Sequence, residues 1–568
     1  MSGIGGFQTS DGASPAPAVL ASLGNALSHR GPDSEGRHVV GGTALLSTAL
    51  TIGEAPCDPT ELLPDGQVAV MDGQEEPATA LRPARSPVKT YASASLDAGS
   101  ERLTLTRDGF GAKPLYYAET RSGFVFASEP RAILASGLIA PKLRPEGARE
   151  LVEIQFTAGR DTLFSGIYRV LPGETLVADR GHVIERTRQP ALEAWAGNES
   201  DEDQLLLRFE SLLDDACGPI LRQAGDPGVV LSDGVESAAL LAALARRGRR
   251  GLVAYCCVSE GPLAQNLRAH ATAVTSATGA EAVIVSLDRA TFFNILPQVV
   301  ARLDDPGSDY GAVALHHLAE TAARDTRVLM SSEGAKTLFG GYGRYRSILR
   351  PFWLGGRSMR ARGFLEGLGV LRDDTPSWRD GLRAAENRIA QYSYGRLQAA
   401  QALDCALWLP NDLLVVLDRC LSAHSIEART PFLDPALAAF GFALPDRYKI
   451  NRSRGSYLIR RWLERTLPSA EPFGSAISYP VPALRWIAEE AGQLGPLVAA
   501  QSGIVELCDP GTVRRLFERY GRMPHKRLGH AAWQLLFFAL WHAIHIEGIP
   551  YEGDTRECLA ASAKGNKQ

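Results

Sequence analysis

No stretch of this 568-residue chain approaches the roughly 18 consecutive apolar residues of a membrane-spanning helix, so no membrane association is expected. Its eight cysteines lack the paired spacing of a zinc site or a small disulfide framework, which points to free buried thiols in a reducing, cytoplasmic setting. Charge of neither sign dominates. A formal net charge of -4 leaves no basic footprint for nucleic acid, so nucleic-acid binding is not expected either. The start lacks a charged segment followed by an apolar one, and no secretory leader is read there. Internal repeats are also missing. With 45% hydrophobic and 22% charged residues over this length, the chain reads as globular, with two or more domains.

The pattern of elements changes along the chain. Up to about Trp195, short β-rich runs such as Leu103–Thr106 and Phe124–Ala127 alternate with Gly, Pro and Asp turns, which predicts a sheet-dominated domain over 1–195. A polar stretch, Gly197–Asp203, then precedes a helical spacing of apolar residues at Leu205, Leu206, Phe209, Leu212 and Leu213. The linker is placed at 196–204. From there Leu252–Val258, Ala282–Val285 and Val328–Met330 are strand candidates between helical segments, as in a parallel α/β sheet, and beyond about Trp353 the pattern is mainly helical. This second domain is placed at 205–555, with a flexible tail at 556–568.

One local run is more informative than the rest. Val229-Val230-Leu231 is an apolar strand that feeds Ser232-Asp233-Gly234-Val235-Glu236-Ser237, and the residues after it continue as a helix. Backbone N–H groups at a helix start, with the Ser232 and Ser237 hydroxyls, form an anion-binding layout favoured by the helix dipole. Asp233 and Glu236 put two negative charges in the same place, which opposes a phosphate unless a cation stands between.

This loop resembles the Ser-Gly-Gly-x-Asp-Ser pyrophosphate loop of the N-type ATP pyrophosphatases, and four further motifs narrow the resemblance to the glutamine-dependent asparagine synthetase family. Leu27–Asp33 and Arg107–Tyr117 resemble its glutaminase half. Ser332–Tyr342, and Leu417–Arg419 with Glu427–Asp434, resemble its synthetase half. The resemblance runs in order from Met1 to about Trp541. It implies an amino-terminal-nucleophile-type αββα sandwich, like a class II glutamine amidotransferase, followed by an adenine-nucleotide α-hydrolase-like (ATP pyrophosphatase) α/β domain with a helical carboxy-terminal part. It also implies ATP and Mg2+ as the groups used, a small-molecule substrate, and a homodimer or a hetero-oligomer with a related synthetase.

Both implied sites depart from the family pattern. The nucleophilic cysteine at the second position is Ser2, whose hydroxyl ionises far less readily than a thiol, so glutamine hydrolysis is expected to be lost; a repurposed Ser2 hydrolase is the alternative. Arg30 matches the family's His-Arg-Gly-Pro-Asp run, but the arginine expected to hold the glutamine carboxylate is Ala49. Asp72 and Gly73, followed by Gln74, stand where the family has Asn-Gly-Glu. Loss of that asparagine removes an oxyanion donor of a kind worth about 3 kcal/mol. A domain kept for packing or partner contact is the expectation.

Making an amide from a carboxylate and ATP requires neutralising the triphosphate and stabilising the charge that develops at phosphorus. The family's first Mg2+ aspartate corresponds to Glu236, one methylene longer and still a candidate metal ligand. The second corresponds to Lys336, which cannot ligate Mg2+ through its ammonium but can supply fixed positive charge. Asp233 replaces a loop glycine at a point of close backbone approach. No Lys or Arg lies between Leu467 and Pro482, where the family's charge-stabilising lysine is sought. Glu333 matches the essential glutamate, and Ser232, Gly234, Ser237, Asp304, Pro306, Asp418, Arg419, Glu427 and Arg429 are retained. His424 is read as a packing residue. Three readings stay open: a divergent ATP-dependent carbon–nitrogen ligase using ammonia or an amine, a catalytically silent subunit paired with an active relative, and a ligand-binding protein.

Overall fold

The computed structural model of the chain describes every residue except 1, 54–60, 63–66, 74–89, 98, 193–200, 225, 250, 262–263, 351–361, 374–375, 475–480 and 566–568. The amino-terminal part holds two six-stranded antiparallel sheets. The first runs Tyr168–Arg169, Tyr116–Thr120, Gly123–Ala127, Ser2–Thr9, Thr43–Ala49, Ser34–Val40, and the second His182–Arg188, Glu174–Asp179, Leu103–Arg107, Tyr91–Leu96, Val68–Gly73, Glu61–Leu62. Side chains of both sheets meet in one apolar cluster, Ile4, Leu45 and Phe126 from the first against Val70, Ala94 and Leu105 from the second. Helices Pro17–Leu27 and Pro130–Ala135 share the opposite core with Phe7, Leu46 and Val125 of the first sheet. This layering matches the expected sandwich.

Beyond the linker lies a five-stranded parallel sheet in the order Glu281–Leu287, Val253–Ser259, Gly228–Val230, Val328–Met330, Glu427–Arg429. Helices on its faces explain why its inner strands are apolar runs rather than alternating ones. The strand order reverses between Gly228–Val230 and Val328–Met330. In such sheets the crevice outside the strand ends at the reversal is where ligands bind. Two loops leave the sheet there, Leu231–Gly234 and Ser331–Gly334.

Two expectations need correction at the ends of the second domain. The helix expected from Leu205 begins earlier, at Glu202, inside the proposed linker; residues 196–200 of that linker lie outside the described residues. Much of the segment read as a flexible tail forms a helix, Thr555–Gly565, with Cys558 and Leu559 buried. Its short apolar face was too brief to stand out in sequence. The long apolar helical run Arg396–Ser422 is mostly buried inside the fold, as a core helix is. Among the described residues all seven cysteines are free thiols, as read from sequence.

The two halves share a core. One buried cluster joins Phe7, Leu27 and Leu151 to Leu303, Trp533 and Trp541. At its centre the Phe164 and Trp541 rings lie 5.1 Å apart, and the indole N–H donates to the Leu303 carbonyl at 3.1 Å.

Candidate functional site

Ser2 begins the strand that pairs with Thr43–Ala49, and the register places it opposite Ala49. Its backbone N–H donates to Asp72 Oδ1 at 3.2 Å, and only 8% of the residue is exposed. Arg30, expected to face a substrate, is fully buried and turned inward. Its Nε donates to the Ser2 carbonyl (3.3 Å), Nη1 to Asp418 Oδ2 (2.7 Å) and Glu129 Oε1 (3.0 Å), and Nη2 to Asp72 Oδ2 (2.7 Å) and Asp418 Oδ1 (2.9 Å). A guanidinium has five donors, and these contacts occupy all of them. Gly73 has φ +153°, and a Cβ there would meet the Thr90 carbonyl at 2.5 Å, so it serves close strand approach. The structure therefore brings Ser2, Arg30 and Asp72 together in one buried network of hydrogen bonds and ion pairs.

That network crosses between the halves. Lys113 Nζ lies 3.0 Å from Glu427 Oε1 and 3.6 Å from Asp72, and Arg419 bonds Asp304 (3.0 Å) and Asp418 (3.1 Å). Burial pushes the Glu129, Asp418 and Glu427 carboxyls up, but the surrounding arginines and Lys113 overcome it and hold all three below the usual range. The retained Asp304, Asp418, Arg419 and Glu427 thus join the two halves. His424 sits apart from this network, with its Nε2 3.3 Å from that of His316.

The second site lies at the reversal point of the parallel sheet. The Ser232 and Ser237 hydroxyls lie 3.1 Å apart, Ser237 Oγ donates to the Gly234 carbonyl at 2.9 Å, and the Gly234 N–H donates to Ser232 Oγ at 3.1 Å. These bonds preset the turn into helix Val235–Arg246. A Cβ on Gly234 would come within 2.8 Å of Glu236 Oε2 and 3.4 Å of Lys336 Cε, so both side chains crowd this turn. Glu236 Oε1 accepts a 2.5 Å hydrogen bond from Ser456 Oγ, which stands at φ +51° just before helix Tyr457–Thr466.

Gly234, Glu236 and Lys336 line a cavity of about 900 Å³, in the size range of small-molecule sites. Asp233, Gly234, Glu236 and Lys336 form one side; Asn266 and His270 come from helix Ala264–Thr278, and Arg346, Arg454 and Arg460 complete it. Burial lowers the Lys336 pKa, but Glu236, Asp233 and Glu333 outweigh it and the ammonium is held above its ordinary value. Glu333 is shifted up by burial, and its Oε2 is buried without a hydrogen-bond partner. The three arginines and His270 carry no sequence motif. They come from segments up to about two hundred residues away and are joined only by the fold.

The Mg2+ implied by the resemblance does not fit these residues. Glu236 accepts from Ser456, the second expected ligand is the Lys336 ammonium, and among the described residues no group of three His, Cys, Asp or Glu is placed to hold a metal ion. Glu236 is hydrogen-bonded by Ser456, and its charge helps hold the Lys336 ammonium above its ordinary pKa. The lysine sought between Leu467 and Pro482 bears on residues 475–480, which lie outside the described residues.

Two family models match parts of the chain. Residues 88–188 match the family model described as a glutamine amidotransferase domain, and residues 208–543 the one described as asparagine synthase. A Mycobacterium tuberculosis protein provisionally named a glutamine-hydrolyzing asparagine synthetase is 28% identical over 506 residues, covering 80% of this chain and 76% of its own length. Asparagine synthetase (glutamine-hydrolyzing) 1 of Bacillus subtilis is 25% identical, covering 78% and 75%. A shorter match, 24% identical over 44% of this chain and 40% of the relative, is to the amidase chyE of Penicillium rubens. With the asparagine synthase model spanning more than half of its length, this chain belongs to the asparagine synthase family.

Proposed function

We propose that this protein is an ATP-dependent carbon–nitrogen ligase of the asparagine synthase family that does not draw nitrogen from glutamine and takes ammonia or an amine instead. The observation that carries this reading is the contrast between the two sites. Around Ser2 every donor of Arg30 is taken up by Asp72, Asp418, Glu129 and the Ser2 carbonyl, while an open cavity of about 900 Å³ remains at the loop Ser232–Glu236. At the first, Arg30 is committed and position 49 is alanine, so neither offers a glutamine carboxylate a guanidinium; the second leaves room for a nucleotide and an acyl group.

In this cavity the start of helix Val235–Arg246 presents N–H groups to phosphate oxygens, while the Ser232 and Gly234 N–H groups hold the turn before it. A substrate carboxylate attacks the α-phosphorus and pyrophosphate departs; the amine nitrogen then forms the new C–N bond as AMP leaves with the C–O electron pair. Glu333, with an unpartnered buried oxygen, is the proposed acceptor for the proton lost by that nitrogen. Lys336 stabilises the charge that develops on the leaving pyrophosphate.

Release of AMP from ATP tests the reading, with aspartate as the trial acyl substrate and either ammonium or glutamine as nitrogen source. Ammonium should support AMP release and amide formation, glutamine should not, and Glu333→Gln should abolish turnover. Glutamate and asparagine formed from glutamine at about one per second, an ordinary enzymatic rate, would overturn it. The reading as a silent subunit draws on Lys336, which stands where a metal ligand is expected. Co-purification with an active relative, without AMP release by this chain alone, would favour it.

A further inference from the structure

We infer that the cavity beside Ser232–Glu236 binds the polyphosphate of a nucleotide without Mg2+, with four cations of the chain itself in place of the metal. The inference rests on the proposed nucleotide site and concerns how its charge is balanced. Lys336, Arg346, Arg454 and Arg460 all line the cavity. Arg460 donates through Nε to the Gly455 carbonyl at 2.8 Å and also to the Pro472 carbonyl. Arg454 donates to the Phe473 carbonyl at 3.0 Å, and Arg346 to the Ser453 carbonyl. Neutral carbonyls aim these guanidiniums, and no carboxylate within 4.0 Å forms an ion pair with any of the three or with Lys336 among the described residues.

Holding like charges together costs free energy, and here the arginines repel. Burial and the charges of Arg454 and Arg346 lower the Arg460 pKa, against only Glu236 raising it. An anion with several oxygens relieves that repulsion, and guanidiniums match phosphate geometry. The carboxylates that also line the cavity, Asp233, Glu236 and Glu471, are one fewer than the four cations Lys336, Arg346, Arg454 and Arg460. Glu236 is committed to Ser456, and its charge and that of Asp233 hold Lys336 protonated. The acids of the loop, which on their own oppose a phosphate, thereby act through a lysine.

Calorimetric titration of the full chain with ATP and with inorganic pyrophosphate, in EDTA and in Mg2+, tests this. The expected result is binding of both in EDTA, with an affinity that Mg2+ changes by less than about threefold, since each phosphate already meets a charge-assisted partner. Arg346→Ala and Arg454→Ala should each weaken ATP binding in EDTA by about tenfold or more. Lys336→Asp should abolish binding in EDTA and restore part of it with Mg2+. Thermal melts of each variant, with Arg454→Lys as a partner that keeps charge, separate loss of the site from loss of the fold. Binding only in Mg2+ would overturn the inference and leave the ligase reading standing. Arginine variants that fold and bind as tightly as the parent would overturn it too. Absence of ATP binding under both conditions would overturn both.

Discussion

At the scale of single residues, Arg30 and Lys336 are opposite cases. Arg30 is a retained family residue whose side chain is fully committed inside the protein, so its loss strands Asp72, Asp418 and Glu129 as buried charges. Arg30→Met is expected to destabilise the chain by about 3–5 kcal/mol, read from denaturant unfolding, because breaking a buried ion pair leaves its partner uncompensated. A change within the error of extrapolation would show that the network contributes little. Ser2→Cys should leave glutamate release from glutamine at background, since Ala49 stands opposite position 2 and Asp72 still holds Arg30. Rapid release would mean that a pocket opens around this thiol. Lys336, Asp233 and Glu236 were legible in sequence as departures inside otherwise matching motifs. Arg346, Arg454 and Arg460 were not. They carry no local signature, and only tertiary packing brings them to a loop more than a hundred residues earlier.

At the scale of elements, the parallel strands were readable because each is a short apolar run bounded by polar turns. Val328–Met330 falls as expected, and Val253–Ser259 and Glu281–Leu287 lie within one or two residues of expectation. The loop and helix at Ser232–Arg246 were also legible, as an apolar strand followed by Ser, Asp and Gly. What sequence could not give was the hydroxyl pair that presets the turn, since Ser232 and Ser237 are equally suited to solvent. Ser237→Ala removes that pair. A loss of about 0.5–1.5 kcal/mol in stability is expected, with ATP affinity falling about tenfold as the turn loosens. Unfolding and titration of the same variant check both. Unchanged affinity would show that backbone N–H groups alone set the turn. Helix Thr555–Gly565 was missed because its buried face is small, and the shared core of both halves gives it somewhere to pack.

At the scale of the whole molecule, the halves are one cooperative unit more than two independent domains. Apolar packing around Trp541 and the ions around Arg30 both cross from one half to the other. The sequence boundary near the linker is a change of pattern, and a fragment of residues 1–195 is expected to lack a cooperative thermal transition. A sharp two-state melt of that fragment would contradict this. The ion network adds a pH dependence. Burial opposes ionisation of Glu129, Asp418 and Glu427, yet their cationic neighbours leave all three pKa values lowered in the folded state. A lowered carboxyl pKa stabilises the fold above its unfolded value and loses that contribution as pH falls through and below it, so the melting temperature should hold above about pH 5 and drop steeply below about pH 4.5. Arg30→Met should flatten that acid limb.

A crystal structure of the chain with ATP in the presence of EDTA is the most direct test of the central claim, that the working site of this family member is the cavity at the sheet's reversal point and its charge balance is supplied by the chain. The account predicts the phosphates against the Ser232–Glu236 loop, within hydrogen-bonding reach of Lys336 and at least two of Arg346, Arg454 and Arg460. ATP bound elsewhere, or bound there only with a metal ion on Glu236, would contradict it.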